Sequence, residues 1–114
     1  MKTTPDIVLR VGWLPAQEAD VFLAALRQEM DWKQQSIRIR DQVIALPRPT
    51  AWHGTRAYRY SGIVNTPSPW TPTLDTIRAR LEQELGHTFN SVLGNLYRTG
   101  KDSVSWHADD EPEL

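Results

Sequence analysis

The stretch that decides the fold runs from residue 89 to residue 109 and reads Phe89-Asn90-Ser91-Val92-Leu93-Gly94-Asn95-Leu96-Tyr97-Arg98-Thr99-Gly100-Lys101-Asp102-Ser103-Val104-Ser105-Trp106-His107-Ala108-Asp109. Residues 89–98 have the composition of a β-strand, and residues 103–108 alternate apolar with polar side chains. Residues 99–102 have the composition of a turn. The stretch therefore predicts two strands joined by a short turn.

The end of this stretch carries two pairs of polar residues with a spacing of two. His107 and Asp109 would point the same way on an extended segment, so an imidazole and a carboxylate could bind one ion from one side. They would supply two thirds of the facial triad that holds non-haem Fe(II). Asn95 and Tyr97 would likewise offer an amide and a phenol to an anionic, oxygen-rich ligand. Taken alone, a histidine two residues from an aspartate is common by chance, and ordinary structural side chains are the alternative interpretation of both pairs.

Composition limits the class of protein. The chain has 114 residues, a formal net charge of -1, no cysteine and 39% hydrophobic residues, which describes one small soluble domain. The missing cysteines exclude a disulfide-stapled module and a cysteine-ligated zinc or iron-sulfur protein. No stretch approaches the roughly 20 apolar residues of a membrane span, and no signal-like apolar core follows Met1. We expect a cytoplasmic location, or a nuclear one in a eukaryote, and no membrane partner.

The balanced net charge conceals an asymmetry along the chain. Residues 33–60 hold six basic residues against Asp41, whereas residues 101–114 hold five acidic residues against Lys101. A basic stretch that contains tryptophan and tyrosine suits a phosphate backbone with stacked bases, and a carboxylate cluster suits a hard cation. Solvated surface is the alternative interpretation of both.

Periodicity and capping residues predict the remaining elements. An apolar stripe after Pro15 predicts a helix over residues 15–31. Thr71 as N-cap and Gly86 as the terminating residue predict a second helix over residues 72–85. Residues 35–46 alternate as short strands do, whereas the prolines predict loops over residues 47–54 and 66–72. His87 then follows a helix C-terminus, where a cation-capable ring is favourable.

Several motifs with preserved spacing closely resemble the AlkB family of Fe(II)- and 2-oxoglutarate-dependent dioxygenases, particularly its eukaryotic-type nucleic-acid repair demethylases. The resemblance covers about residue 47 to the end of the chain. The motifs that carry it are Pro47-Arg48-Pro49-Thr50-Ala51-Trp52-His53-Gly54, Tyr58-Arg59-Tyr60-Ser61-Gly62-Ile63, Phe89-Asn90-Ser91, Asn95-Leu96-Tyr97-Arg98 and residues 101–112.

The resemblance implies cofactor-binding roles for four residues. His107 and Asp109 would be two of the iron ligands, and Asn95 and Tyr97 would hydrogen-bond 2-oxoglutarate. The implied reaction hydroxylates an N-alkyl group on a base of DNA or RNA, and the product collapses to formaldehyde and repaired base.

The resemblance also implies contacts with an alkylated strand, single-stranded or with its base flipped out. Trp52 and Tyr60 would lie in the lid that grips the nucleic acid and the flipped base. Arg48 and Arg59 would be phosphate partners, and Asp110 would lie near the damaged base. A monomer is expected.

The implied fold is α+β: an N-terminal helix and strands in residues 1–46, a nucleotide-recognition loop region in residues 47–70, and a helix with the first strands of a double-stranded β-helix (jelly roll) in residues 71–114. The family supplies a third iron ligand and two arginines further downstream. His53 lies in a predicted loop and His87 beside a helix, so either could only be an improvised substitute for that ligand. We therefore expect an N-terminal portion of a longer protein, with the C-terminal half of the jelly roll missing and little turnover alone.

Two alternatives stay open at this point. One is a non-catalytic, truncated remnant that binds nucleic acid through the basic stretch. The other is a related dioxygenase that acts on a different kind of substrate, such as a small molecule.

Overall fold

The computed structural model describes residues 6–60 and 63–105, and this part of the chain forms two helices and six short strands. In chain order the elements are α1 (Ala16–Glu29), β1 (Ser36–Ile39), β2 (Gln42–Ala45), β3 (Thr50–Gly54), β4 (Tyr58–Tyr60), β5 (Ile63–Asn65), α2 (Pro72–Leu85) and β6 (Ser91–Asn95). The predicted α+β class is confirmed as a mixture of helices and antiparallel strands, whereas the jelly roll stays a prediction. Neither helix, at 14 residues each, is long and apolar enough to cross a membrane, a finding that covers the described residues alone.

Both ends of α2 are set by local chemistry that the sequence displays. The Thr71 hydroxyl accepts a hydrogen bond from the Leu74 N–H at 3.1 Å, which satisfies one of the free donors at the helix start. Gly86 ends the helix in the left-handed conformation, with φ of 65°. The predicted boundaries of this helix are confirmed.

The strands form three antiparallel pairs: β1 with β2, β3 with β6, and β4 with β5. The pair that joins the two halves of the described chain is β3 with β6, where Thr50 lies opposite Asn95 and Gly54 lies opposite Ser91. Every other residue of the pair therefore shares one face. This pairing positions the candidate site.

The loop predicted over residues 47–54 is wrong for its second half. Both prolines precede the strand, so neither removes a donor from its ladder. Their carbonyl groups accept hydrogen bonds instead: Pro49 from the Leu96 N–H at 3.0 Å and Pro47 from the Ser103 N–H at 3.0 Å. Residues 66–71, by contrast, form the predicted extended loop, with one isolated bridge at Ser68.

One face of the β3·β6 pair packs on the helices. Ala51 contributes to a small core with Met30 and Leu74, and Trp32 packs against it. Gly94 lies on the same face, opposite Ala51. A side chain does not fit there without rearrangement, because a Cβ would come within 2.8 Å of the Met30 side chain. The opposite face is consequently left for contacts outside the core.

Polar contacts between α1 and α2 supplement this small core. The Arg80 guanidinium donates to both carboxylate oxygens of Glu18. Glu29 accepts from the backbone N–H of Thr73 at 3.1 Å and from its hydroxyl. Glu29 thus places a negative charge at the N-terminus of α2, where the helix dipole favours it.

We expect acid to weaken the contact between α1 and α2 through Glu29. Hydrogen bonds from Thr73 lower the pKa of the Glu29 carboxyl below its ordinary value of 4.5. Because the folded state prefers the carboxylate, this stabilisation is present above pH 4.5 and is lost as the pH falls through the lowered pKa. Glu29→Gln should flatten the acid limb of a plot of Tm against pH. An acid limb identical to that of the unaltered protein would contradict the assignment.

Candidate co-substrate and nucleic-acid site

The outward face of the β3·β6 pair brings together residues predicted to bind different ligands. Asn95 lies directly opposite Thr50, and Leu93 lies directly opposite Trp52. Side chains at directly opposed positions lie on the same face about 5 Å apart. The predicted 2-oxoglutarate residue Asn95 and the predicted lid residue Trp52 therefore share one surface, although they are 43 positions apart in the sequence.

A cavity of about 160 Å³ opens on this face. Thr50, Trp52 and Leu93 contribute from the strands, and further lining residues are Gln35, Val64 and Thr66. Thr50 and Gln35 are joined by a hydrogen bond of 3.1 Å. The cavity combines an aromatic ring with hydroxyl and amide groups, which suits a planar ligand with polar edges.

A carboxylate and an amine also line the cavity. The Ser68 hydroxyl donates to Asp31 at 3.0 Å, and the Lys33 ammonium lies 3.4 Å from the same oxygen. The hydrogen bond from Ser68, followed by the charge of Lys33, lowers the pKa of Asp31 below its ordinary value. This part of the wall therefore carries a fixed negative charge and a neighbouring positive one.

Arg48 lies beside Asn95 and is 7% exposed. Its Nε donates to Asn95 Oδ1 at 2.8 Å, and its Nη1 donates to the Ser103 carbonyl oxygen at 3.3 Å. Both contacts are internal to the chain. The phosphate contact of Arg48 stays a prediction, and the guanidinium is not presented to solvent as a surface phosphate ligand would be.

Asn95 and Tyr97 retain the accessibility that a ligand requires. Asn95 is an exposed residue at the end of β6, and Tyr97 is 47% exposed. With its oxygen facing Arg48, the amide of Asn95 has its N–H groups available for an acceptor. A carboxylate of 2-oxoglutarate is such an acceptor, so the donor set fits the co-substrate.

Of the residues predicted to lie in the lid or to contact the strand, the structure describes the side chain of Trp52 but not those of Tyr60 and Arg59. Trp52 is 7% exposed, and its indole N–H donates to the Arg56 carbonyl oxygen. Its ring is thus a fixed wall of the cavity. Tyr60 ends β4 and Arg59 precedes it, but their side chains lie outside what the structure describes.

His53 is a buried structural residue with both ring nitrogens engaged. It is 2% exposed, and its Nε2 accepts from the Asp31 N–H at 3.0 Å. Nδ1 must then carry the proton, which it donates to the Pro69 carbonyl oxygen at 2.7 Å. The ring links the end of α1, strand β3 and the 66–71 loop, which leaves it no lone pair for a metal and no open face for stacking.

The predicted metal ligands His107 and Asp109, together with Asp110, lie outside the described residues. Within residues 6–60 and 63–105, no group of three or more histidine or acidic side chains is arranged to hold a metal ion. The segment that leads to His107 is nevertheless tied to the site, because Ser103 bonds both Pro47 and Arg48. The turn at residues 99–102, which precedes Ser103, is closed by a hydrogen bond of 2.7 Å that Arg98 donates to Asp102.

Sequence patterns missed the cavity-lining residues Lys33, Gln35, Thr50 and Ser68 and the link between Arg48 and Asn95. No spacing pattern in the sequence predicts that these residues meet, because the cavity and the Arg48–Asn95 bond join segments that are far apart in the chain. The match of Pro47-Arg48-Pro49 to the family motif was the one available signal for Arg48.

Comparison with known proteins identifies the family of the chain. Residues 6–114 match the model of the 2OG-Fe(II) oxygenase superfamily, so the chain belongs to that family. Over 109 residues it is 48% identical to human alpha-ketoglutarate-dependent dioxygenase alkB homolog 3, a match that covers 95% of this chain and 38% of that protein.

Two further relatives belong to a second group of AlkB homologues. The mouse DNA oxidative demethylase ALKBH2 is 36% identical over 102 residues, covering 85% of this chain and 43% of that protein. The Arabidopsis thaliana protein of the same name is 34% identical over 112 residues, covering 93% and 36%. The resemblance to the AlkB family is confirmed, and the chain spans less than half the length of these relatives.

Proposed function

We propose that this chain is the N-terminal part of a dioxygenase that removes N-alkyl groups from bases of DNA or RNA as part of alkylation repair. The single observation that supports it best is the register of β3 with β6, which sets Asn95 beside a cavity lined by Trp52 and Thr50. A ligand carboxylate and a planar base would then bind on one surface. The ALKBH2 relatives, which are named DNA oxidative demethylases, support the same reaction.

In this proposal the residues of the chain bind and orient the reactants. Asn95 and Tyr97 donate hydrogen bonds to 2-oxoglutarate, while Trp52 forms a fixed apolar wall for the base. His107 and Asp109 hold Fe(II), which with 2-oxoglutarate and O2 supplies the oxidising chemistry. Asp110 lies near the damaged base, and Tyr60 and Arg59 contact the strand. A third iron ligand and the arginines that clamp 2-oxoglutarate are not assigned to residues of this chain.

The proposal extends to the oligomeric state, the location and the form of the substrate. We propose a monomer, in the cytoplasm or in a eukaryotic nucleus, that acts on single strands or flipped bases. An alkyl group on the Watson–Crick edge is inaccessible within a duplex, so the base must leave the stack. Flipping a base out of a duplex costs a few kcal/mol, and a lesion that weakens base pairing lowers this cost.

Formaldehyde release tests the proposal. The complete protein, supplied with Fe(II), 2-oxoglutarate and O2, should release formaldehyde from a single-stranded oligonucleotide that carries an N-methylated base, and form succinate in equal amount. The same oligonucleotide without the methyl group is the control. Strand binding without succinate would favour a non-catalytic binding remnant, and succinate formation without demethylation would favour a different substrate.

A further inference from the structure

We infer that Arg48 is a positioning residue for 2-oxoglutarate, because it fixes the orientation of the Asn95 amide. This inference rests on the proposed function and assigns Arg48 a task different from a phosphate contact. It starts from the bond of 2.8 Å between Arg48 Nε and Asn95 Oδ1.

The direction of this bond determines which end of the amide faces the ligand. An arginine side chain can only donate hydrogen bonds, so the Asn95 atom that faces it must be the oxygen. The amide nitrogen, with its two N–H donors, is then turned away from Arg48. A carboxylate accepts hydrogen bonds and cannot donate them. The orientation that Arg48 imposes is therefore the one that a carboxylate ligand needs.

Burial makes Arg48 suited to this task. The residue is 7% exposed, and the Ser103 carbonyl oxygen holds its Nη1 at 3.3 Å. The guanidinium is planar, so two contacts on different nitrogen atoms restrict its rotation. Asn95 in turn is exposed on the outward face of β6, where without a fixed partner its amide could turn over freely.

The charge of Arg48 favours the same ligand. Among residues 6–60 and 63–105, no carboxylate lies within ion-pair distance of its guanidinium. A buried cation attracts an anion bound nearby, because the low dielectric of the protein strengthens their interaction. The surroundings of Asn95 thus combine oriented amide donors with a positive potential.

The test is a double-mutant cycle on 2-oxoglutarate affinity in the complete protein. The dissociation constant is measured by calorimetry, without O2, on protein loaded with Mn(II) as a redox-inactive substitute. Arg48→Met should weaken binding on the order of 10-fold, and Asn95→Ala on the order of 10- to 100-fold. The loss of affinity in the double variant should be clearly smaller than the product of the two single losses, because Arg48 acts chiefly through the Asn95 amide and only its charge acts directly.

Matched variants separate positioning from folding. Asn95→Asp keeps an oxygen toward Arg48 but removes the N–H donors, so it should retain Tm and lose 2-oxoglutarate affinity. Arg38→Met, at an exposed arginine of β1, should change neither. If Arg48→Met does not fold, the same cycle is run with Arg48→Lys, which keeps the positive charge but lacks the planar fork.

Each outcome decides a different point. Additive effects in the cycle, or an Arg48 variant that raises only the KM for the oligonucleotide, would overturn the positioning role and favour a strand contact. Unchanged 2-oxoglutarate affinity in Asn95→Ala would instead count against the proposed function itself. Mn(II) affinity should stay within twofold in every variant, since neither residue is a predicted metal ligand.

Discussion

Asp109→Ala in the complete protein should abolish formaldehyde release and succinate formation while leaving single-strand binding largely intact. The carboxylate of Asp109 is one of two predicted iron ligands in this chain, two positions from the imidazole of His107. Removing an outer-shell partner of a metal ligand typically costs 10- to 100-fold in affinity or activity, so loss of a ligand itself should exceed about 100-fold. Succinate formation and Fe(II) occupancy are the measurements.

The matched control for this prediction is Asp41→Ala, which removes an exposed carboxylate between β1 and β2. It should retain turnover, metal occupancy and strand binding. Unchanged metal occupancy in Asp109→Ala would remove the basis for the H-x-D assignment. Loss of strand binding together with turnover would indicate a folding defect, which the Tm would reveal.

Gly54→Ala should be the most destabilising single-methyl change in the described part of the chain. Gly54 ends β3 with φ of 127°, a conformation that L side chains rarely adopt. A Cβ there would lie 2.3 Å from the Asn90 carbonyl oxygen and 2.5 Å from the Ser91 Cα. Both atoms belong to the backbone of the partner segment, so they cannot move without opening the β3·β6 pair.

We expect a loss of about 3–5 kcal/mol in the free energy of unfolding, from backbone strain of about 1–3 kcal/mol and displacement of β6. Denaturant and thermal unfolding measure it. Gly100→Ala is the control, since a Cβ at Gly100 meets nothing within 4 Å and should cost less than about 0.5 kcal/mol. Equal stabilities of the two variants would show that Gly54 does not set the distance between the strands.

The sequence predicts α2 correctly but not β3, and the difference has a physical reason. Thr71 and Gly86 determine the ends of α2 through contacts within a few residues, so their order along the chain is sufficient. β3 follows two prolines and was predicted as a loop, because its partner β6 begins 37 residues after it ends. No local pattern announces a pairing that distant.

His53 shows the same limit at the level of one side chain. The sequence places it in the motif of residues 47–54, where an improvised metal ligand is the role that the resemblance leaves open. Its surroundings come from Asp31 and Pro69, which are 22 and 16 positions away. These two backbone groups occupy both ring nitrogens, and only the folded chain brings them together.

The sequence by itself determined the α2 helix, the AlkB resemblance and the residue types available for Fe(II) and 2-oxoglutarate, because these depend on short-range order and composition. The tertiary structure decided that Asn95, Trp52 and Thr50 share one face and that Arg48 is a buried partner of Asn95. The physical reason is that strand register fixes which side chains meet, and register arises from pairing between segments far apart in the chain.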